Sequence, residues 1–222
     1  MCLASIAPID PASSCPRCGQ HVPGGPSLCT ACLHHPPAYD SARSWALYTA
    51  VARTLVHLLK YEQVLPLSRY FARQLHQLPL PDFDTIVPVP LGRLRRRERG
   101  YNQAEEVARH LARLRGCACA ADGLRRRKET RSQAGLDASQ RENNVRDAFV
   151  ALRTPRLRAR SILLVDDVLT TGATARAAAA ALKAAGGEQV HLLTVARADL
   201  ERMPSPGASP ETRQADWGPY PW

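Results

Sequence analysis

Two apolar runs on either side of an alanine-rich segment constrain the fold of this chain more than any other feature. SILLVDD (161–167) is a continuous apolar run that ends in two acids, and QVHLLTVAR (189–197) is a second run of the same kind. Residues 173–185 have the composition of a helix and are followed by two glycines. Because a strand that is covered on both faces is apolar throughout, the pattern predicts a βαβ unit in a parallel sheet and hence an α/β fold.

Three earlier segments extend this pattern. Apolar residues recur at three- and four-residue steps from 45 to 78, which predicts a helical hairpin whose second helix begins at Pro66. DTIVPVPL (84–91) predicts a short buried strand that runs into a loop. NQAEEVARHLARLRG (102–116) predicts an amphipathic helix that ends at its final glycine.

Length and composition divide the chain into three parts. Residues 39–200 hold the periodic segments and form the main domain, whose α/β core we expect over 81–199 after the hairpin. Residues 1–38 are rich in Pro, Gly, Ser and Cys and need a covalent or metal cross-link to fold. Residues 201–222 are rich in Pro, Gly and Ser, and we expect them to form a disordered tail. The sequence shows no secretion signal and no membrane-length apolar run, so we expect a cytoplasmic protein without membrane insertion.

The N-terminal part contains two CxxC pairs that are ten residues apart. Four thiolates at this spacing suit a tetrahedral zinc ion, and a site filled by four protein ligands is structural rather than catalytic. The alternatives are two disulfides or a redox-active CxxC, and neither suits two pairs in a reducing compartment. Cys2, Cys117 and Cys119 lack the spacing and are interpreted as bystanders. The predicted zinc ligands are Cys15, Cys18, Cys29 and Cys32.

Asp166 and Asp167 stand at the end of the first apolar run, and TTGAT (170–174) follows at the start of the predicted helix. In a parallel sheet, ligands lie beyond the carboxyl ends of the strands. Backbone N–H groups at a helix N-terminus bind phosphate, and two carboxylates can accept hydrogen bonds from vicinal hydroxyls. The segment therefore predicts a site for a ribose 5-phosphate. It lacks the Walker pattern of a nucleoside triphosphatase, and an ordinary capped helix explains only part of it.

VDDVLTTGAT resembles the 5-phosphoribosyl 1-diphosphate (PRPP) motif of type I phosphoribosyltransferases. Several further segments are similar to the ComF (competence protein F-like) branch, and together they cover residues 15–199. These segments are CPRC…CTAC, HLLKY, VPVPLGRLRRRERGYNQ, the stretch from ETRSQ to RENNVRDAF, and VARAD. The resemblance implies a phosphoribosyltransferase-like parallel sheet flanked by helices, with a small N-terminal zinc ribbon. It also implies a link to DNA uptake or use in competent bacteria.

The resemblance also assigns roles to residues. Asp166 and Asp167 would contact the ribose hydroxyls and act in catalysis. Arg99, in the loop after DTIVPVPL, would contact the diphosphate, and Lys60 is either a phosphate contact or a solvated helix residue. Mg²⁺ is expected to bind with PRPP. Glycines expected near residues 48–50 and after Tyr61 are absent, which affects the detail of the hairpin. The residues that would hold the 5-phosphate are Thr170, Thr171, Gly172, Ala173 and Thr174.

The net charge of +10 favours acidic partners, although only three of the 30 basic residues are lysine, and this arginine bias weakens the inference. RLRRRER (93–99) and RRRKETR (125–131) are dense in arginine and are either phosphate contacts or solvated loops. Two functions therefore stay open. One is a PRPP-binding phosphoribosyltransferase with an unidentified acceptor, and the other is a non-catalytic adaptor that binds single-stranded DNA or DNA-uptake proteins and has a PRPP-sensing or relic site.

Overall fold

A five-stranded parallel sheet forms the centre of the computed structural model, which describes residues 3–127, 148–152 and 161–198. The strand order is β1-β7-β6-β2-β3, so the two long apolar runs predicted from the sequence are adjacent central strands. A separate antiparallel ribbon pairs β4 with β5. The strands are β1 Ser41–Leu47, β2 Thr85–Pro88, β3 Ala118–Cys119, β4 Leu124–Arg126, β5 Phe149–Ala151, β6 Ser161–Leu169 and β7 Gln189–Arg197.

Helices cover both faces of the sheet, as the apolar runs require. Leu163 and Val165 of β6 lie in one apolar cluster with α2, α3 and α5, while Ile162 and Leu164 lie in a second cluster with α6 and the ribbon. Successive residues of a strand point to opposite faces, so β6 supplies side chains to both clusters. The helices are α1 Thr30–His34, α2 Ala50–Tyr61, α3 Pro66–His76, α4 Arg93–Arg99, α5 Gln103–Arg115 and α6 Ala173–Ala184.

The predicted helical hairpin begins too early, because its first residues belong to strand β1. Residues 45–47 belong to this strand, and the helices of the hairpin cover 50–61 and 66–76. The inward residues of β1 are small, so the alternation of period two is weak in the sequence. Trp45 points to the other face, where its ring packs edge-on against Tyr70 of α3 at a centroid distance of 5.8 Å. The helical prediction for 45–47 is therefore wrong.

The arginine-rich segment after β2 also differs from its prediction. It forms helix α4, which begins after Gly92 and ends at Gly100 in a left-handed conformation. The predicted loop is therefore wrong, because arginine is a good helix former and the two glycines mark the ends. The predicted start of α3 at Pro66 and the end of α5 at Gly116 are confirmed.

The N-terminal residues pack directly against the sheet. The backbone N–H of Leu47 donates to the Ala7 carbonyl at 2.9 Å, and the N–H of Ile9 donates to the Trp45 carbonyl at 3.0 Å. The residues that follow, 15–35, are called the cysteine module here. Cys15, Cys18 and Cys32 of the module lie in the same apolar cluster as α6, so the module shares its interior with the sheet.

Among the helices in the described ranges, none is both long enough and apolar enough to span a bilayer. The predicted tail, 201–222, lies outside the described residues, as do Asp199 and most of the stretch from ETRSQ to RENNVRDAF.

Candidate functional site

The turn after β6 brings the predicted phosphate-binding residues to the carboxyl edge of the sheet. Gly172 caps the N-terminus of α6 with φ 79°, a left-handed conformation that favours glycine. A Cβ at this position would also lie 3.4 Å from Tyr39 Oη and 3.6 Å from Leu169 Cδ1. The turn therefore packs in van der Waals contact with Tyr39 and Leu169, and its left-handed conformation favours glycine at this position.

Side chains around the turn hold its shape. The hydroxyl of Thr171 accepts a hydrogen bond from the Ala173 N–H at 3.5 Å, and Arg176 Nη2 donates to the Thr171 carbonyl at 2.9 Å. The first N–H groups of a helix have no partner within the helix, and they carry the positive end of the helix dipole. Helix α6 extends over 12 residues to Ala184, so its dipole adds to the positive charge at this end. The N–H groups of its first turn therefore suit an anion.

The two predicted carboxylates lie on opposite faces of β6. Asp167 follows the alternation of Leu163 and Val165 and faces α2 and α5, where both of its oxygens are bound. Lys60 Nζ lies 3.1 Å from Oδ1, and Gln103 Nε2 donates to Oδ2. Asp166 follows the opposite alternation, and its Oδ1 accepts a hydrogen bond from the Asp167 N–H at 2.8 Å. The pair therefore presents one carboxylate to each side of the sheet.

These surroundings separate the two pKa values. Burial and the neighbouring Asp167 charge raise the pKa of Asp166 to about 7, although the Asp167 N–H and the charges of Lys60 and Arg126 oppose the rise. Burial also disfavours ionised Asp167, but Lys60, Gln103 and Arg99 together hold its pKa below the ordinary value. Asp167 is therefore a carboxylate at neutral pH, while Asp166 exchanges a proton near neutrality.

Lys60 contacts Asp167 directly, and Arg99 is linked to the same carboxylate through Gln103. Lys60 is bound to Asp167 with a side chain that is only 15% exposed, so it is not a solvated helix lysine. Arg99 Nη1 donates to Gln103 Oε1 at 3.0 Å, and its guanidinium lies 4.7 Å from the centre of the Tyr61 ring. The structure thus connects the end of α4, the end of α2 and β6.

Gln103 was not predicted from the sequence. It is buried at the start of α5, where Asn102 caps the helix by accepting the Ala104 N–H. The position follows the same helical face as Val107 and Leu111, at four-residue steps. A polar amide on an otherwise apolar helix face was a signal that could have identified this residue.

The four cysteines of the module form a compact donor set. Their ligand atoms all lie within 4.8 Å of one another, and Cys18 Sγ and Cys29 Sγ are 3.6 Å apart. Burial disfavours the Cys15 thiolate, but the backbone N–H groups of Cys29, Cys18 and Arg17 lower the pKa of this thiol to about 7. Four sulfurs at this separation fit one tetrahedral metal ion, so these cysteines can hold a metal such as zinc.

Arg197, at the end of β7, attaches the module to the sheet. Its Nη1 donates to the Cys18 carbonyl at 2.6 Å, and its Nη2 donates to Gln20 Oε1 at 2.7 Å. The same Nη2 lies 4.0 Å from Cys18 Sγ. A buried arginine thus connects the cysteine module to the strand beside the Thr170–Gly172 turn.

Comparison with known proteins agrees with this geometry. Residues 71–209 match the family model described as the phosphoribosyl transferase domain. The chain is 32% identical to Competence protein F of Haemophilus influenzae, over 83% of this chain and 84% of that protein. This chain is a member of the ComF family. It is also 36% identical to DNA utilization protein YhgH of Salmonella typhi, over 83% and 84% of the two chains, and 32% identical to YhgH of Escherichia coli K12, over 82% and 83%.

The residues that match the family model include the candidate site. It begins in α3 and includes the sheet strands that carry the acidic pair and the turn. Membership of the ComF family and the phosphoribosyltransferase-type fold, both predicted from the sequence, are therefore confirmed.

Proposed function

We propose that this ComF protein binds PRPP at the carboxyl end of β6 and transfers its phosphoribosyl group to an acceptor. The observation that carries the proposal is the Thr170–Gly172 turn at the start of α6, directly after an acidic pair of which Asp167 is buried and Asp166 is partly exposed. The turn and the first residues of α6, through Thr174, suit the 5-phosphate. Asp166 suits the ribose hydroxyls, because a carboxylate accepts hydrogen bonds from a diol.

The cationic groups beside the second carboxylate suit the diphosphate end of the ligand. Lys60, at the end of α2, is bound to Asp167, and Arg99, at the end of α4, is bound to Gln103, which itself donates to Asp167. Asp167 therefore acts by positioning Lys60, and a role for it at the ribose remains a prediction. Mg²⁺ bound with PRPP would neutralise part of the diphosphate charge.

In the proposed reaction, the bond from ribose C1 to diphosphate breaks and a bond from C1 to the acceptor forms. Positive charge develops at C1 as diphosphate leaves, so the chain contributes by positioning the sugar and by placing carboxylate charge near it. Asp166 is the carboxylate that we propose for this role. The acceptor's proton leaves to solvent or to a group on the acceptor side.

We further propose that the metal of the cysteine module is zinc with a structural role. All four positions of a tetrahedral site are supplied by cysteine, which leaves no position for substrate.

Binding of PRPP with Mg²⁺ is tested by the shift in melting temperature of wild type, Asp166→Asn and Thr171→Val. We expect a clear rise for wild type and a reduced rise for both variants. Asp122→Asn, the same change at an exposed site, is the matched control. No rise in wild type, or an equal rise in Asp166→Asn, would disprove the ligand assignment. Transfer is then tested by diphosphate release across a panel of nucleobases and amines.

The second candidate function is non-catalytic binding of single-stranded DNA. The names of the relatives, which refer to competence and DNA utilization, favour it. So do the arginines of α4 and of the β4–β5 ribbon, where Arg125 and Arg127 are exposed. Arginines that contact phosphates release counterions, and binding then weakens with salt.

Fluorescence anisotropy of a labelled oligonucleotide distinguishes this candidate. We expect Arg125→Ala/Arg127→Ala to reduce the slope of log affinity against log salt by about 1.4, at about 0.7 for each lost phosphate contact. Binding that does not change with salt or with this variant excludes the ribbon as a DNA contact. If no acceptor in the panel causes diphosphate release and oligonucleotide binding weakens with salt, the results favour DNA binding over transferase activity.

A further inference from the structure

Arg197 lies between the cysteine module and the Thr170–Gly172 turn. It is the last residue of β7, and in the sheet it pairs with Leu169, the residue before the turn. Its side chain is directed to the module and lines a cavity of about 500 Å³ between the module and the turn. One residue therefore contacts the module through its side chain and belongs through its backbone to the strand beside the turn.

The charge of Arg197 lacks the counter-charge that a buried arginine ordinarily has. The residue is 7% exposed, and within the described ranges it forms no ion pair with Asp or Glu. Burial of an unpaired charge is costly. Its Nη1 donates to the Cys18 carbonyl at 2.6 Å, and its Nη2 lies 4.0 Å from Cys18 Sγ. A divalent ion bound by four thiolates has a net negative charge, so the metal site supplies the missing counter-charge.

Two sets of contacts connect the module to the turn. The N–H of Ala198, next to Arg197, donates to the Leu169 carbonyl at 2.8 Å. Tyr39 follows the module in the chain and lies beside Gly172, where a Cβ would be 3.4 Å from its Oη. Tyr39 and Leu169 also belong to the buried apolar cluster that contains three of the four paired cysteines. A displacement of the cysteines can therefore reach the turn through hydrogen-bonded and packed contacts.

We propose that Arg197 is a positioning residue of the metal site and that it couples metal occupancy to the conformation of the Thr170–Gly172 turn. Its guanidinium orients Cys18 and stabilises the thiolates, and its backbone holds the strand end beside Leu169. Coupling between two binding sites is reciprocal, so a ligand that needs the same turn conformation also tightens metal binding. The consequence for PRPP rests on the proposed function, whereas the coupling of the metal to the turn does not.

The first test measures zinc affinity by competition with a chelator on the full chain. Arg197→Gln removes the charge and should weaken zinc binding by about 10–100-fold, the usual cost of changing a group that contacts a metal ligand. Arg197→Lys keeps the charge and should recover part of this loss, which a purely steric contact would not explain. Arg115→Gln is the matched control, because Arg115 is a half-buried arginine that donates to the His76 and Leu78 carbonyls outside the module.

The second test measures hydrogen exchange by mass spectrometry, with zinc and after its removal. In wild type, zinc removal should speed exchange in residues 169–174 as well as in the module, and should leave residues 104–112 of α5 unchanged. Arg197→Gln at saturating zinc should already exchange faster at 169–174 than wild type. Gln20→Leu leaves the arginine in place and removes one of its hydrogen bonds, so it should show a smaller change of the same kind even if Arg197→Gln does not fold.

Wild-type zinc affinity in Arg197→Gln, equal losses in Arg197→Gln and Arg197→Lys, or unchanged exchange at 169–174 after zinc removal would each overturn the inference. Ribose 5-phosphate is then titrated into the same zinc-loaded proteins, and we expect it to bind Arg197→Gln about fivefold more weakly than wild type. If ribose 5-phosphate does not bind wild type, the proposed function fails, and zinc affinity and exchange still decide whether the metal and the turn are coupled.

Discussion

The sheet and the cysteine module are held together in different ways. The sheet buries large apolar side chains on both faces, and Leu163, Leu164 and Leu193 are fully buried. In the module, three of the four paired cysteines are buried, while Leu28 and Leu33 are 41% and 63% exposed. The sheet is therefore stabilised by apolar burial, whereas we expect the module to depend on a metal ion at its four cysteines and on its contacts with the sheet.

The largest effect is expected from loss of the metal. Cys32→Ser removes one ligand, and structural zinc sites of this kind contribute about 10 kcal/mol or more to folding. We expect the variant to lose zinc and to become sensitive to protease within residues 15–35, while the sheet remains resistant. Metal analysis and limited proteolysis with mass spectrometry measure both effects.

Cys119→Ser is the matched control, because Cys119 lies in β3 outside the four-cysteine cluster. It should keep its zinc and its protease resistance. Full zinc content in Cys32→Ser would show that the module is not held by this site.

Truncation of a buried side chain in the sheet should destabilise the sheet and leave the cysteine site intact. Leu163→Ala creates a cavity in the central strand and should lower the free energy of unfolding by about 3–5 kcal/mol. Zinc should stay bound in the fraction that is folded. Leu114→Ala, at a leucine that is 44% exposed, should change stability by less than about 1 kcal/mol. Denaturant unfolding measures both, and similar losses in the two variants would contradict the assigned core.

The Lys60–Asp167 pair is an exception to apolar burial around the sheet, because it places two opposite charges in a mostly buried position. Asp167→Asn leaves Lys60 without its charged partner, and we expect a loss of about 2–3 kcal/mol at pH 7. Replacement of both residues, Lys60→Met/Asp167→Asn, should cost less than the sum of the single changes. A double-mutant cycle in denaturant measures this coupling, and additive losses would show that the pair does not interact.

The smallest effect concerns Asp166 and depends on pH. Its pKa is raised to about 7 in the folded chain, so the folded state holds a proton that the unfolded state releases above its lower pKa. Stability should therefore fall as pH rises from about 4 to 7 and then level off. Asp166→Asn should be more stable than wild type at pH 8 and similar to wild type at pH 4. Equal stability of the two proteins at pH 8 would contradict the raised pKa.

The features predicted from the sequence are those that leave a local pattern. The βαβ unit of β6, α6 and β7 follows from continuous apolar runs and a helix bounded by glycines. Strand β1 was missed because alanine and serine fill its inward positions, and helix α4 because arginines were interpreted as a loop. Both errors arise where side chains give little apolar periodicity.

The candidate site was predicted in part for the same reason. The acidic pair and its turn are contiguous in sequence, so they could be identified without the fold. The partners of Asp167 come from α2 and α5, and the cavity between the cysteine module and the Thr170–Gly172 turn is lined by residues of 18–39 and 169–197. Such contacts depend on tertiary packing, and a single sequence does not specify them.

Recognition of a ribose 5-phosphate at the end of β6 is the central claim, and a titration of sugar phosphates tests it most directly. Ribose 5-phosphate, 2-deoxyribose 5-phosphate and inorganic phosphate are compared by calorimetry on wild type and Asp166→Asn. We predict that ribose 5-phosphate binds wild type about tenfold more tightly than the deoxy sugar, and that Asp166→Asn removes the difference. Equal binding of all three ligands by wild type would contradict the claim.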